Sequence, residues 1–326
     1  MDKIAVIIPC YNEEKTIGKV INDARAALPD AVIYVYDNNS ADNTYAKAIA
    51  AGAVVRRETK QGKGRVVRSA FRDIEALCYL LVDGDDTYSM EKAREMCDLV
   101  LNRDTDMVIG DRLSSTYFTE NKRRFHNLGN WAVRLFINFF FNAEIDDVMS
   151  GFRAMSYRFV KSFPIISKGF EIETEMTIHA VDKDLYIANV VVNYRDRQIG
   201  SVSKLNTYAD GFRVIKTILK LYKNYRPLNF FSIVALLLFI CAGISLIPVL
   251  ITFWETGLVP RFPTLIVCGF AAIAGIQSFF GGLVLDTFAQ KYRQEFEILL
   301  TELAGEQNAL SRAADGEIKA MDVKYS

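Results

Sequence analysis

The sequence predicts an α/β domain with a mostly parallel sheet, followed by an amphipathic interface helix and a two-helix transmembrane hairpin. Short β-rich runs alternate with helical patterns over the first third of the chain, which is typical of a parallel sheet covered by helices on both faces. Two long uncharged runs lie close together in the last third, and each is long enough to cross a hydrocarbon core of about 30 Å.

The predicted strands are short apolar runs, at 4–8, 32–36, 53–56, 79–82 and 107–110. Between them, apolar residues recur with helical spacing, which predicts helices at 16–27, 41–51, 63–74 and 90–101. Ligands of such sheets bind beyond the carboxyl ends of the strands. The residues that follow each strand are therefore the candidate site.

Polar residues follow four of these strands, at 9–14, 37–40, 83–86 and 110–112. Taken singly, each segment is equally typical of a turn or a helix cap, since Asp, Asn, Ser and Gly favour both. Together they indicate a polar site along one edge of the sheet. Asp83 and Asp85 have the chemistry to bind Mg²⁺ or Mn²⁺, which one or two carboxylates hold while water and a diphosphate fill the remaining positions.

The uncharged runs at 228–254 and 262–285 predict the transmembrane hairpin. The flanks of the hairpin are richer in cations than its connecting loop, which has only Arg261; the flanking cations are Lys216, Lys220, Lys223, Arg226, Lys291 and Arg293. This bias predicts an integral membrane protein whose N-terminal domain and both termini are cytoplasmic. The alternative is a helical hairpin buried in a large soluble core.

The segment at 206–227 is predicted to be a juxtamembrane helix lying in the bilayer interface, because its apolar residues fill one arc and its cations a neighbouring arc. The alternative is an amphipathic core helix. A second candidate interface helix, at 125–141, is rich in Phe. The predicted organisation is a domain at 1–205, the juxtamembrane helix, the two spans, and a cytoplasmic tail at 286–326 consisting of a charged helix and a loose end.

Charge and cysteine content exclude other classes of protein. Lys plus Arg and Asp plus Glu number 39 each, so no overall field indicates nucleic acid as a partner. The five cysteines are odd in number and widely spaced, without a C-x-x-C pair, which favours a reduced compartment and no structural zinc.

Seven motifs follow one another along the chain: VIIPCYNEE at 6–14, DNNSADNT at 37–44, GKG at 62–64, DGD at 83–85, GDR at 110–112, SGFR at 150–153 and RQIGSVSK at 197–204. In this order they resemble the family-2 glycosyltransferases of the GT-A fold, and among them the polyprenyl-phosphate sugar synthases such as dolichyl-phosphate mannose synthase. The resemblance covers residues 4–205 and the membrane hairpin.

The resemblance implies roles for individual residues. It implies that the nucleoside pocket is lined by Pro9, Tyr11, Glu13 and Asp37, with Lys63 near it. Asp83 and Asp85 would bind the metal and the diphosphate, Arg112 and Arg123 would grip the acceptor phosphate, and Arg197 and Lys204 match a loop that closes over the donor. Glu175 aligns with a helical carboxylate near the sugar, although Glu171 and Glu173 compete for that role. The candidate catalytic residues are Asp85, Arg112, Arg123 and Glu175.

The activity that the resemblance implies is the inverting transfer of a sugar from a UDP- or GDP-linked donor to a polyprenyl phosphate at the cytoplasmic membrane face, with Mg²⁺ or Mn²⁺ as the cofactor. The product would serve cell-surface glycosylation. Two alternatives stay open: transfer to a neutral lipid hydroxyl with Glu175 as the base, and a non-catalytic nucleotide-sugar-binding scaffold. The sequence also leaves the oligomeric state open, including a homo-oligomer.

Three motifs depart from the family pattern. Thr87 stands where the family places a Gln after the aspartate pair, and Asp86 is a candidate for the third metal contact in its place. Gly-Ser-Arg is replaced by Gly-Asp-Arg through Asp111, and Asn38 and Asn39 stand where Asp-Gly is common. These departures predict a nucleotide pocket that differs in detail.

Overall fold

The computed structural model describes residues 1–114, 134–135, 137–141, 144–169, 171–195, 216 and 219–324. The chain forms two compact units. One consists of Met1–Thr217 together with Phe296–Ser326, and the other of Ile218–Glu295. The first unit contains the sheet and the motifs, and the second contains the apolar helices.

A seven-stranded mixed sheet forms the centre of the first unit. Its strands are β1 Asp2–Cys10, β2 Ala31–Asp37, β3 Val54–Arg57, β4 Ala76–Leu81, β5 Met107–Asp111, β6 Arg153–Ser156 and β7 Ile187–Val191. They lie in the order β3-β2-β1-β4-β6-β5-β7. All pairings are parallel except those of β6, which runs antiparallel to both β4 and β5. The predicted α/β class with a mostly parallel sheet is confirmed.

The helices of this unit are α1 Ile17–Ala27, α2 Thr44–Ala50, α3 Lys63–Asp73, α4 Ala93–Asn102, α5 Tyr157–Ser162 and α6 Ile172–Asp182. The first four correspond to the four helices that the sequence predicts, with ends shifted by up to three residues. A short 3₁₀ turn, Met90–Lys92, accounts for the early predicted start of α4.

The core is built on the central strand β1. Five consecutive residues from Ile4 to Ile8 are fully buried, because β1 has neighbours on both sides and layers of side chains above and below it. Such continuous burial is expected of a strand covered on both faces. The apolar side of α1, through Ile17, Val20 and Ile21, packs in the same core cluster.

Strands β6 and β7 were not among the predicted strands. β6 is only four residues long and starts with an arginine, so its sequence lacks the apolar run that predicts a strand. Arg153 is fully buried, and its donors are satisfied there: Nε donates to the Ser150 carbonyl, Nη2 to the Val148 carbonyl and Nη1 to Thr177 Oγ1. A buried charged side chain of this kind is tolerated only where it is fully hydrogen-bonded.

The second unit contains the helix α7 Pro227–Thr256 and the apolar part of the helix α8 Phe262–Lys324, whose residues from Phe296 onward belong to the first unit. Both are long and apolar enough to cross a bilayer, and only 17% of the most apolar window of each is buried. Large apolar side chains such as Leu237, Ile244 and Val267 are instead largely exposed. A soluble protein does not present contiguous apolar surface of this extent to water, so these are candidate spans of a membrane protein.

The helix ends correct part of the predicted organisation. Gly257 ends α7 in the left-handed conformation with φ of 66°, which suits a glycine C-cap. The helix α8 does not end near residue 285 but continues for 63 residues in all, to Lys324, so the predicted loose end of the tail is wrong.

Most of the two predicted interface helices lies outside the described residues. Within 125–141, residues 137–141 are helical, with Ile137 and Phe141 buried and Phe139 exposed at 77%. Within 206–227, residues 219–225 are helical, with Leu221 and Tyr222 buried. Their placement in a bilayer interface stays a prediction.

Candidate active site

The carboxyl ends of β1, β2 and β4 meet at one edge of the sheet, as predicted for parallel neighbours. Cys10 at the end of β1 is in register with Asp37 at the end of β2. The turn after β4 packs directly on β1, because a side chain on Gly84 would lie only 2.7 Å from Cys10 Sγ and 3.4 Å from the Pro9 carbonyl oxygen. Thr16 at the start of α1 holds the same turn by donating to the Gly84 carbonyl at 2.7 Å.

Three non-glycine residues at this edge have a left-handed backbone. Asn12, Asn39 and Asp86 follow β1, β2 and β4, with φ of 53°, 59° and 60°. Such conformations are uncommon outside glycine and collect at functional sites, and Asn and Asp tolerate them best. The departure of Asn39 from the family's Asp-Gly is thereby explained, because asparagine is the usual substitute for glycine at positive φ.

Asp85 is buried, and its position is set by its own turn. Its Oδ1 accepts hydrogen bonds from the Thr87 hydroxyl at 2.7 Å and the Thr87 amide at 3.3 Å. Thr87, which stands where the family has Gln, thus fixes the orientation of Asp85. Asp86, the candidate for a third metal contact, accepts from the Lys19 ammonium at 2.6 Å.

Lys63 lies between two carboxylates. Its ammonium is 2.5 Å from Asp83 Oδ1 and 2.6 Å from Glu173 Oε1. Burial acts to lower the pKa of Lys63, but the two carboxylates outweigh it and the pKa is raised, so the side chain is a permanent cation. Burial raises the pKa of Glu173, with Lys63 opposing it. Lys63 therefore contacts the turn that contains Asp83. The sequence had predicted only that Lys63 lies near the nucleoside pocket, and not this contact.

The loop before α6 covers the start of α3. A side chain on Gly62 or Gly64 would overlap the backbone carbonyls of Lys168 and Ser167, so only glycine permits this close approach. Glu175 secures the loop, because its carboxylate accepts from the Ile166 amide at 3.1 Å and the Ser167 amide at 2.9 Å. Glu175 was predicted to be a catalytic carboxylate, but the structure engages it with backbone amides, and Glu173 is the α6 carboxylate that reaches the aspartate turn.

The predicted nucleoside residues lie together at the ends of β1 and β2. Asp37 is fully buried, and its carboxylate accepts from Arg57 Nε at 3.1 Å and from the Ser40 amide at 3.3 Å. Tyr11 is more than one-third exposed, and the amide of Glu13 donates to Thr44 Oγ1 at 2.8 Å. These contacts tie the first two polar segments to each other and give the edge a defined shape.

Arg112 is held by the segment that precedes β6. Its Nε donates to Asp147 Oδ2 at 2.7 Å, and its Nη2 donates to the Met149 carbonyl at 3.0 Å. Asp147 is fully buried, so the guanidinium is fixed by a buried counterion. The remaining nitrogen, Nη1, is 3.5 Å from the Tyr88 hydroxyl, and that hydroxyl accepts from the Gly151 amide at 2.9 Å.

Arg153 holds the backbone of the segment at 147–151, which contacts Arg112 and Tyr88. Burial lowers the pKa of Arg153 to about 10, and its hydrogen bonds to the 148–150 backbone hold Asp147 and Met149 in place against Arg112. Asp111, where the family has Ser, is also buried, and its Oδ1 accepts from the Leu113 amide at 2.9 Å. This aspartate caps the turn that contains Arg112.

The side chains of Asp83 and Asp85 are suited to a divalent cation whose remaining ligands come from a diphosphate and water. Among the described residues, no group of three or more His, Cys, Asp and Glu side chains could enclose a metal ion on its own. Asp83 and Asp85 supply hard oxygen ligands of the type that Mg²⁺ and Mn²⁺ prefer, and such ions commonly take their other ligands from water and phosphate. Arg123, Arg197 and Lys204, which were also predicted site residues, lie outside the described residues.

Sequence reasoning missed two residues of this site. Asp147 pairs with Arg112, and Tyr88 links Arg112 to the motif at Gly151. A tandem Asp146 and Asp147 just before the SGFR motif was the available signal for the first. Tyr88 had no sequence signal, because an aromatic residue after a turn is more often a core residue.

Several known proteins are similar to this chain. The model of "Glycosyl transferase family 2" matches residues 5–162. Glycosyltransferase AglJ of Haloferax volcanii is 33% identical over 232 residues, which are 71% of this chain and 76% of that protein. The dolichyl-phosphate hexose transferase of the same organism is 30% identical over 219 residues, 67% of this chain and 93% of that protein.

Solved structures also share the fold. Glucosyl-3-phosphoglycerate synthase from Mycobacterium tuberculosis, in complex with Mn²⁺, uridine diphosphate and phosphoglyceric acid, superposes with a TM-score of 0.55. The match covers 68% of this chain and 78% of that one at 22% identity. This likeness shows that the first unit has the same GT-A type of fold.

Proposed function

This chain belongs to glycosyl transferase family 2, and we propose that it transfers a sugar from a nucleotide-diphosphate sugar to a polyprenyl phosphate at the cytoplasmic face of a membrane. The observation that carries this proposal is the Asp83–Asp85 turn, with Asp85 buried and Asp83 partly exposed, at the carboxyl edge of a mostly parallel sheet, in a chain that also has two exposed apolar helices. The name of the dolichyl-phosphate hexose transferase supports the choice of acceptor.

On the donor side, Asp83 and Asp85 would hold Mg²⁺ or Mn²⁺ together with the diphosphate. A bound divalent ion neutralises the charge that develops on a departing nucleotide diphosphate. Pro9, Tyr11, Glu13 and Asp37 would line the nucleoside pocket, since they lie at the neighbouring strand ends. The hydrogen bonds of Thr87 keep Asp85 oriented before the donor arrives, which avoids a cost of reorganisation during the reaction.

On the acceptor side, the nucleophile is a phosphate oxygen that is already ionised near neutral pH. Such a group needs orientation more than it needs a general base. Arg112, held by Asp147 and the Met149 carbonyl, is a preorganised cation for this purpose, and Arg123 is proposed as its companion. Direct displacement by this oxygen would invert the configuration at the sugar. The occupation of Glu175 by backbone amides disfavours the alternative in which it acts as a base for a neutral hydroxyl.

The membrane setting follows from the same proposal. A polyprenyl phosphate has its headgroup at the bilayer surface, so the catalytic unit would act there, with the cations before α7 and after the apolar part of α8 on the cytoplasmic side. We expect the polyprenyl-phosphate monosaccharide that is produced to serve as a membrane donor for cell-surface glycosylation.

The test uses detergent-purified full-length protein, a panel of UDP- and GDP-linked sugars, Mg²⁺ or Mn²⁺, and a short polyprenyl phosphate. Formation of a labelled lipid is expected with one donor and is expected to disappear in excess chelator. Asp85→Ala should abolish the product, and Arg123→Ala should weaken lipid use more than donor binding.

The matched control is Asp30→Asn, because Asp30 is an exposed carboxylate in the turn before β2, at the opposite end of the strands. This variant should retain wild-type turnover. Full activity of the Asp85 variant, or failure to use any isoprenoid acceptor with every donor, would refute the proposal.

A further inference from the structure

One ammonium serves two carboxylates next to the proposed metal site. Lys63 contacts Asp83 at 2.5 Å and Glu173 at 2.6 Å, and both Lys63 and Glu173 are buried. Asp83 is more accessible, with 27% of its side chain exposed. An unshared contact with a buried ammonium would largely neutralise Asp83, and a neutralised carboxylate is a poor ligand for a cation.

The surroundings confine the ammonium to this position. A side chain on Gly151 would overlap Asp83 Oδ2 and lie 3.0 Å from Lys63 Nζ. The backbone at Gly151 therefore packs directly against the ion pair. The loop that Glu175 secures closes over the start of α3, where Lys63 is the first helical residue. Lys63 therefore cannot move out to solvent and leave Asp83 to the metal.

We propose that Glu173 is a positioning residue for the metal site: by sharing the Lys63 ammonium, it leaves Asp83 with enough negative charge to bind a divalent cation. This inference rests on the proposed metal role of Asp83 and Asp85. The three carboxylates and one ammonium sum to two negative charges. Without the charge of Glu173 they sum to one, and the Lys63 ammonium then offsets more of the charge of Asp83.

Glu173→Gln tests this role with little change in shape, because the amide oxygen can still accept from Lys63 while the charge is lost. The probe is Mn²⁺ alone, and binding is followed by loss of the electron paramagnetic resonance signal of free Mn²⁺ on titration of the full-length protein in detergent. Removing the charge that shares Lys63 with Asp83 is expected to weaken Mn²⁺ binding about tenfold. A merely structural role would lower thermal stability and leave Mn²⁺ affinity unchanged.

Glu171→Gln is the matched control, since it removes the same charge at the start of the same helix, whereas the ion pair with Lys63 is made by Glu173. It should change the Mn²⁺ affinity less than about twofold. The double variant Lys63→Met with Glu173→Gln removes both members of the pair and leaves no buried charge unbalanced. Its affinity should return to within about threefold of wild type, and this arm holds even if Glu173→Gln alone fails to fold.

The inference would be overturned by wild-type affinity in a folded Glu173→Gln protein, or by a double variant that binds Mn²⁺ more than about tenfold more weakly than wild type. Equal losses in the Glu171 and Glu173 variants would also overturn it, because a general field would then suffice. Asp85→Asn separates this inference from the proposed function. If wild type and Asp85→Asn bind Mn²⁺ equally, the metal site itself is wrong, whereas a selective loss in Asp85→Asn with no effect of Glu173→Gln refutes only the role of Glu173.

Discussion

Replacing His179 by Phe is expected to remove much of the acid sensitivity of the catalytic unit. His179 lies on α6, and its ring is buried against Phe159, Phe163 and Phe296, with ring centroids 6.1, 5.1 and 5.4 Å away. Neither ring nitrogen has a hydrogen-bond partner within the part of the chain that the structure describes. An imidazole in such a site is strongly disfavoured in its charged form.

The magnitude follows from the difference in pKa between the folded and unfolded chain. Burial, and secondarily the ammonium of Lys183, lowers the pKa of His179 from 6.5 to about 3. In this pH range His179 is protonated in the unfolded chain but stays neutral in the native protein. The free energy of unfolding therefore decreases as the pH falls from about 6.5 to about 3. The loss amounts to about 2 kcal/mol between pH 7 and pH 5 and about 4 kcal/mol by pH 3.

The assay is urea unfolding of detergent-purified protein at pH 7 and pH 5, followed by near-ultraviolet circular dichroism. The decisive quantity is the stability lost between the two pH values, which should be about 2 kcal/mol smaller in His179→Phe than in wild type. His179→Gln is the control, because it removes the titration but keeps a buried polar group. It should share the reduced pH dependence without the gain of about 1 kcal/mol at pH 7 that the phenyl ring provides. Equal losses in all three proteins would show that His179 does not resist protonation.

Two further substitutions test the backbone of the site. Gly151→Ala should lower kcat/KM more than about tenfold and destabilise the protein by about 1–3 kcal/mol, because the new methyl group overlaps Asp83 Oδ2; Gly18→Ala on α1, which has no heavy atom within 4 Å of the added methyl group, should be neutral or slightly stabilising. Asn39→Ala should cost about 1 kcal/mol in urea unfolding and Asn39→Gly much less, since φ is 59°. Equal effects of Ala and Gly at position 39 would mean that the left-handed backbone does not select asparagine.

Much of the fold was predictable because the signals are local. Alternating apolar runs and helical spacing predicted β1 to β5 and α1 to α4, and the polar segments after four of these strands predicted the site edge. The uncharged runs predicted α7 and the apolar part of α8 for the same reason. β6 was not predicted because it begins with Arg153. The burial of Arg153 depends on carbonyls of the preceding turn and on Thr177 of α6.

The sequence by itself determined which residues stand at the ends of the parallel strands. Each apolar run and the polar segment that follows it are adjacent in the chain, so both can be recognised from a short stretch of sequence. Only the tertiary structure decided how those residues pair. Lys63 lies between Asp83 and Glu173, Glu175 binds the loop before its own helix, and Arg112 pairs with Asp147. These contacts join segments that are distant in the chain, and each depends on the packing of α3, α6 and β6 around the sheet, which no local pattern encodes.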